Sequence, residues 1–384
     1  MRILIAPDKY KGSLSATTVA QTIAAAFREH SQDFVLDLCP IADGGEGTAE
    51  AIITAKNGSW VECQTIDAQN RSVTAKYGQV EGEAIMEMSS ASGLAIVSDL
   101  PLDPATASTH GTGLMMLDAI QRGAKRLIIG IGGSATNDAG TGMARALGFR
   151  FLDENGHELQ DLPRDLDKLH RIETPAVGAF ARMRENEPIE ILVACDVTNP
   201  LLGPEGCTRV YGPQKGVKDF AYFESRLARL AKIIERDLGV NPAEAPGAGA
   251  AGGLGFGLMA FCGAKLTSGF DLIADIIDLH RRVAAADLVI TGEGRIDAQT
   301  LHGKGPMGVA RLARELGKPV AALAGLIEAR EALAPHFDHL IQVKPEAMPV
   351  AEAMQKGPEL LASACRDQLI PRLTTAASSD ACGE

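Results

Sequence analysis

Arg126-Leu127-Ile128-Ile129-Gly130-Ile131-Gly132-Gly133-Ser134-Ala135-Thr136-Asn137-Asp138 is the stretch that decides the fold class. An aliphatic run gives way to glycines and small hydroxyl residues, and a helical pattern follows over about 139–147. A short continuous apolar run bounded by turn residues is the pattern of a strand buried on both faces. The same grammar recurs outward in both directions. Apolar runs at 2–6, 34–39, 189–195, 288–290, 320–324 and 339–343 are read as strands. Helical patterns are read over 16–29, 49–56, 113–122, 271–282, 307–316 and 350–369. Residues 220–238 are amphipathic, with Phe223, Leu227, Leu230, Ile234 and Leu238 at spacings of three and four. Strands alternating with helices predict an α/β fold with mainly parallel sheets.

One region breaks the rhythm. Runs at 60–66, 74–80 and 83–88 have strand character without intervening helices, and the Glu-Gly pair between the last two suits a hairpin. The rhythm resumes at Asp287. Residues 1–70 and 287–373 are therefore expected to form one discontinuous α/β domain, with 71–286 inserted as a second. Two contiguous halves are the alternative. Residues 374–384 are small and polar and are expected to be a disordered tail.

At 384 residues the chain suits about two domains. Its 37 Lys+Arg against 49 Asp+Glu leave a net charge of −12, which argues against a general nucleic-acid or anionic-membrane binder. A local pocket can still take a small anion. No apolar run approaches a membrane span, and the N-terminus enters a strand pattern at once, so a cytoplasmic location is expected. The 7 cysteines are scattered without a C-x-x-C pair, which fits neither a disulfide framework nor a zinc site. The 41 glycines are in excess and cluster in loops, as expected where a backbone approaches a ligand.

Six loops carry the chemistry, most of them where a strand gives way to a helix, the edge at which open α/β sheets bind ligands. The first, Ala6–Ser13, sets Asp8 beside Lys9 and Lys11 and suits an anion and a hydroxyl or metal. The second, Ala42–Thr48, has three glycines with Asp43 and Glu46 ahead of a helix. The third, Gly130–Gly140, resembles a phosphate cradle: Gly132 and Gly133 for close approach, Ser134 and Thr136 as donors, Asn137 and Asp138 near a cation. The fourth groups Asp196, Thr198 and Asn199, followed by a turn presenting Lys215. The fifth, Pro246–Gly257, includes Gly249, Gly252 and Gly253 and is read as a nucleotide-facing loop at a helix start. The sixth, Thr291–Pro306, brings Glu293, Arg295, Asp297, His302 and Lys304 within a short span. Each loop also has a plainer reading as a solvated turn, a helix cap or a linker. No P-loop, protein-kinase set, nucleophile elbow or H-E-x-x-H is present.

Taken in order, A-P-D-x-x-K-G-S, A-D-G-G-E-G-T, G-I-G-G-S-A-T-N-D, C-D-V-T-N-P-L, G-P-Q-K-G, P-G-A-G-A-A-G-G-L-G and T-G-E-G-R-I-D-x-Q-T-x-H-G-K resemble the type-1 glycerate kinase family, from Arg2 to about Leu373. Each loop alone is weak; seven in one order are specific. The resemblance implies ATP-dependent phosphorylation of D-glycerate with Mg²⁺, usually giving 2-phosphoglycerate. It also implies two α/β domains around a cleft, one of them a discontinuous, Rossmann-like three-layer domain. Small departures, such as Asp8-Lys9-Tyr10 where Ser-Phe is common after the Asp, remove no charge and no expected glycine.

Phosphoryl transfer needs an in-line hydroxyl and charge neutralisation on the phosphate oxygens. On that basis Asp43, Asp196, Glu293 and Asp297 are expected to share metal and base roles, with Asp43, Asp138 and Asp196 as metal ligands. Asp8, Lys11, Arg295 and Lys304 are assigned to the substrate. Gly132, Gly133, Ser134, Thr136, Asn137, Lys215, Gly249, Gly252 and Gly253 are assigned to ATP. The expected partners are D-glycerate and ATP, with no nucleic acid and no membrane, and a homo-oligomer is left open. Two rival readings stay open. Gly130–Ala135 satisfies G-x-G-x-x-A with Asp153 about 20 residues on, which allows a nicotinamide-dependent oxidoreductase. The other is a non-catalytic nucleotide sensor.

Overall fold

The computed structural model describes residues 1–42, 44–176, 180, 188–297, 300 and 305–373. Asp43, His302, Lys304 and the segment 374–384, all singled out above, lie outside the described residues. The strands in chain order are β1 (Arg2–Ile5), β2 (Val35–Leu38), β3 (Ser59–Ile66), β4 (Ser72–Val80), β5 (Glu83–Glu87), β6 (Arg126–Gly130), β7 (Arg150–Leu152), β8 (Arg171–Glu173), β9 (Glu190–Ala194), β10 (Lys265–Thr267), β11 (Leu288–Ile296), β12 (Val320–Ile327) and β13 (His339–Gln342). They form a five-stranded sheet in the order β13-β12-β11-β1-β2 and a six-stranded sheet in the order β10-β9-β6-β5-β4-β3, with β7 and β8 pairing separately.

The five-stranded sheet is parallel throughout. From β1 the chain steps outward to β2; on its return it enters at β11 and steps the other way. The strand order therefore reverses between β1 and β11, the position at which open α/β sheets bind ligands. Ile3, Ile5, Leu288, Ile290, Leu323 and Ile341 pack with Val19, Ile23 and Phe27 of helix Ala16–His30 and with Leu361 and Leu369 near the C-terminus. Alternation sends Leu4 and Val289 to the opposite face, where they are equally buried. Burial on both faces explains the unbroken apolar runs, each such side chain being worth roughly 1.5–3 kcal/mol. Ser15 caps helix Ala16–His30 by accepting from the Thr18 N–H at 3.2 Å.

The six-stranded sheet is mixed. β5, β6, β9 and β10 run parallel, while β3, β4 and β5 form an antiparallel meander. Glu81 and Gly82 close the β4–β5 hairpin with φ of 47° and 86°. Both values are positive, as a two-residue turn between right-twisted strands requires.

By packing, the described residues divide into two compact units: unit 1 from Met1–Asp43, Glu50–Asn57 and Phe270–Glu384, and unit 2 from Gly44–Ala49 and Gly58–Gly269. The divisions thus fall near 57 and 269 rather than at 70 and 287. The ladder of β3 on β4 runs the whole length of β3, so residues 59–66 go with the meander. Three further expectations change. The strand read as 288–290 continues to Ile296, because Glu293, Arg295 and Ile296 stay in register with β12. The helix read over 271–282 is two, Gly269–Ile276 and Leu279–Ala285, broken where Asp278 takes φ 56°. The final helix is likewise interrupted at Lys356. Among the described residues no helix is long and apolar enough to cross a membrane.

The left-handed conformation costs a β-carbon-bearing residue about 1–2 kcal/mol, and Asn tolerates it best. Glu81→Asn, on the exposed hairpin turn, is therefore expected to raise stability by roughly 0.5–1 kcal/mol. A urea midpoint equal to or below that of the parent chain would count against this turn geometry.

Candidate active site

In unit 2 the ends of β5, β6, β9 and β10 bring together loops that are distant in sequence. Glu87 terminates β5 and accepts the N–H groups of Gly47 and Ala49, both at 3.0 Å, thereby fixing the second loop. A β-carbon on Gly130 would sit 2.7 Å from the Gly44 carbonyl oxygen, and one on Gly132 3.2 Å from the Gly45 Cα. The second and third loops thus meet backbone to backbone. At the end of β9, Asp196 is exposed and accepts the Gly269 N–H at 3.0 Å. The neighbouring Ser268 hydroxyl is buried with no hydrogen-bond partner.

The third loop is mostly internal. Gly133 is exposed and Gly132 half-buried, whereas Ser134 through Gly140 are buried. Asp138 is sealed from solvent and accepts four hydrogen bonds: from the Thr109 N–H and hydroxyl at 2.8 Å each, and from the Gly140 and Gly142 N–H groups at 3.2 Å. Burial pushes its carboxyl upward, against the pull of these donors. Here the carboxylate, expected to be a metal ligand, anchors the third loop internally. Asn137, expected at ATP, is also turned inward, donating to the Thr208 hydroxyl at 3.2 Å. Thr136 is fully buried and its hydroxyl has no partner. Lys215 is 1% exposed and donates to the Ser134 Oγ at 2.6 Å and the Thr136 carbonyl at 2.7 Å. Burial lowers its ammonium to about 8.

The fifth loop packs tightly against other segments of unit 2. Residues 250–262 form a helix whose start is distorted by positive φ at Ala251, Gly252 and Gly253. A β-carbon on Gly252 would lie 1.9 Å from the Thr136 carbonyl oxygen, and one on Gly249 2.2 Å from that of Pro200. Gly253 faces Ala139 and Leu201. On the side where a β-carbon would stand, these three glycines face other protein segments, so their small size serves close packing.

In unit 1 the first and sixth loops flank the strand-order reversal. Asp8 is 7% exposed, donates its N–H to the Gly292 carbonyl at 2.8 Å and accepts the Lys9 N–H at 2.6 Å. Lys11 is exposed. Tyr10 is buried with its hydroxyl on the Leu323 carbonyl, and burial raises its phenol well above the ordinary value. Glu293 accepts the Thr300 hydroxyl at 3.1 Å, and Asp297 accepts the Thr300 N–H at 3.3 Å. Arg295 is exposed but pairs with Glu328 at 2.6 Å and Asp297 at 3.4 Å, which hold its guanidinium above the ordinary value. As a substrate clamp it would have to exchange these partners.

Glu87, Ser268 and Glu328 are not among the residues that the sequence motifs single out, and Thr300 stands in the sixth motif without an assigned role. Glu87 has one signal, a lone acid ending the buried run Ala84–Met86. The oxidoreductase alternative is not supported. Asp153 follows β7, which forms a separate two-stranded sheet with β8, and its Oδ1 accepts the N–H groups of Asn155 and His157 within its own turn. A dinucleotide fingerprint needs that acid near the glycine strand in the same sheet.

Parallel strands ending in a glycine turn, exposed and half-buried carboxylates and basic side chains are the equipment of a small-molecule kinase. A sequence model described as the glycerate kinase family matches residues 3–370, and the chain belongs to that family. It is 43% identical to the glycerate kinase of Halalkalibacterium halodurans, over 95% of this chain and 96% of that one. It is 44% identical to the glycerate 2-kinase of Escherichia coli, over 85% of each. The crystal structure of a candidate glycerate kinase 2 from Salmonella typhimurium LT2 superposes with a TM-score of 0.86 at 41% identity, covering 99% of both chains.

Two substitutions at one carbonyl separate packing from orphaned polarity. Gly252→Ala drives a methyl into the Thr136 oxygen at positive φ and is expected to cost at least about 2 kcal/mol. Thr136→Val replaces a buried, unpartnered hydroxyl and is expected to hold or raise stability by about 1 kcal/mol. Thermal unfolding of both proteins checks the pair; equal destabilisation would contradict the geometry.

Proposed function

We propose that this kinase transfers the γ-phosphate of ATP to D-glycerate and forms 2-phosphoglycerate. The observation that carries the reading is the Gly132–Gly133 turn, open to solvent at the end of β6, with exposed Asp196 at the end of the adjacent β9. Backbone N–H groups at such a turn suit phosphate oxygens, and a carboxylate one strand away suits the cation that accompanies them. The glycerate 2-kinase name of the Escherichia coli relative supports phosphorylation at the 2-hydroxyl.

Magnesium belongs to this reading. Among the described residues no group of three or more His, Cys, Asp or Glu is placed to hold a metal. Mg²⁺ needs no such cage, since one or two carboxylates with substrate phosphates and water suffice. The donor set fits at the ends of β9 and β10, where Asp196 stands close in sequence register to the partnerless Ser268 hydroxyl. Asp196 would hold the ion, which when bound neutralises charge on the transferring phosphate. Asp43 keeps its proposed share in this role from sequence alone.

Three cations are proposed to bind the glycerate carboxylate: Lys11 and Arg295, which flank the strand-order reversal of unit 1, and Lys304 from the sixth loop. Asp8, Glu293 and Asp297 are proposed to orient the hydroxyls and accept the proton of the attacking one. A positioned base contributes about 10²–10⁴ in rate.

ADP formation that depends on D-glycerate, ATP and Mg²⁺ tests the activity, and phosphorus NMR of the product tests the position. A 3-phosphoglycerate signal would overturn the 2-hydroxyl assignment alone. Asp196→Asn is expected to lower kcat by about 100-fold or more while the protein stays folded. Near-parental turnover would place the cation elsewhere.

A further inference from the structure

We infer that Lys215 is a positioning residue and internal counter-charge for the nucleotide: it never touches the phosphates, but holds the Gly132–Gly133 turn in its anion-binding shape and supplies positive potential from beneath it. The inference rests on the nucleotide reading above and deepens it. Its ammonium is sealed from solvent, and both of its hydrogen-bond partners are neutral oxygens, the Ser134 hydroxyl and the Thr136 carbonyl. These two residues closely follow the turn. The bonds tie it to the short 3₁₀ segment Pro213–Lys215. A buried cation without a directly paired carboxylate is costly, and nothing in its immediate bonding offsets the charge. An anion at the open turn would do so.

The surrounding groups agree in sign. Asp138 and Cys207 are the ionisable groups that act on Lys215, both favouring its charge. Burial pushes the Cys207 thiol up to about 11, so it is neutral near pH 8. Asp138 is saturated by four donors of its own and also acts on the buried Arg226. Asp138 is thus the one carboxylate acting on Lys215, and it is shared with Arg226, on which Tyr222 and Asp167 also act, so the Lys215 charge is incompletely offset.

Linkage gives the test. Free Lys215 is lowered to about 8, and a bound polyphosphate raises it by favouring the charged form. Nucleotide affinity is then full below the free value and falls as pH rises through the bound one, with proton uptake on binding in between. The phosphates of ADP are already ionised in that range. Calorimetric titration of the full chain with ADP, in buffers of differing ionisation enthalpy between about pH 7 and 9.5, is expected to show uptake of up to one proton. Affinity is expected to fall by about 10-fold over that range. Lys215→Met is expected to bind ADP about 10- to 100-fold more weakly at neutral pH and to lose the proton uptake. Wild-type binding without proton uptake or pH dependence would overturn the inference, whether or not the variant folds. So would a folded Lys215→Met that keeps the parental affinity and pH profile. D-glycerate-dependent turnover is measured separately: ADP binding that behaves as expected without that turnover overturns the proposed reaction and leaves Lys215 in its role, whereas no ADP binding at all overturns both.

Discussion

The Thr136 carbonyl is the point on which the packing of the third and fifth loops depends. From one side the Lys215 ammonium donates to it at 2.7 Å; from the other the backbone of residue 252 comes so close that a β-carbon would lie 1.9 Å away. Only glycine permits that approach, and the same residue has φ 69°. The distorted start of helix 250–262 follows from this contact, and the Gly252 carbonyl in turn accepts the Ala139 N–H at 3.0 Å. A loop held so firmly from below can leave its tip exposed without losing its shape, which is what preorganised phosphate binding requires.

The fold was legible where burial on both faces imposes a continuous apolar run. β1, β6, β9 and β12 announce themselves in this way, and the five-stranded order follows once β1 and β11 share a sheet. It was not legible where pairing overrides local pattern. Thr291-Gly292-Glu293-Gly294-Arg295 reads as a loop because of its glycines and charges, yet β12 holds it as strand to Ile296. A β-carbon on Gly292 would lie 1.8 Å from the Leu323 carbonyl oxygen, so this glycine marks close strand packing. Asp278 shows the converse: a single left-handed residue ends a helix whose apolar periodicity runs on.

The sequence names candidate site residues by type and does not distinguish how each is packed. A glycine that faces a ligand and one that faces another backbone look identical in sequence. Gly132 and Gly133 stay accessible, whereas Gly252 and Gly253 are buried against the third loop. The acids divide in the same way. Asp196 is exposed at a strand end, while Asp138, at the far end of the most phosphate-like loop, is consumed by four internal donors. Sequence spacing does not record which donors surround a carboxylate, and Glu87 escapes notice because its partners, Gly47 and Ala49, are 40 and 38 residues away.

Buried charge gives these placements a common logic. Asp138 is offset by N–H and hydroxyl donors, as a buried anion must be. Arg226 is met by the Pro163 carbonyl and lies 5.2 and 5.4 Å from the rings of Tyr222 and Phe223, with its Nε and Nη1 left without partners. Burial lowers its guanidinium, as it does the Lys215 ammonium. Stability alone would favour apolar side chains of similar size at both cationic positions, since buried ions rarely repay their desolvation. A chain that keeps two under-compensated cations in the interior of the unit carrying its glycine turn retains positive potential there at a cost in stability. An anion-binding enzyme is the kind of protein in which that cost has a functional return.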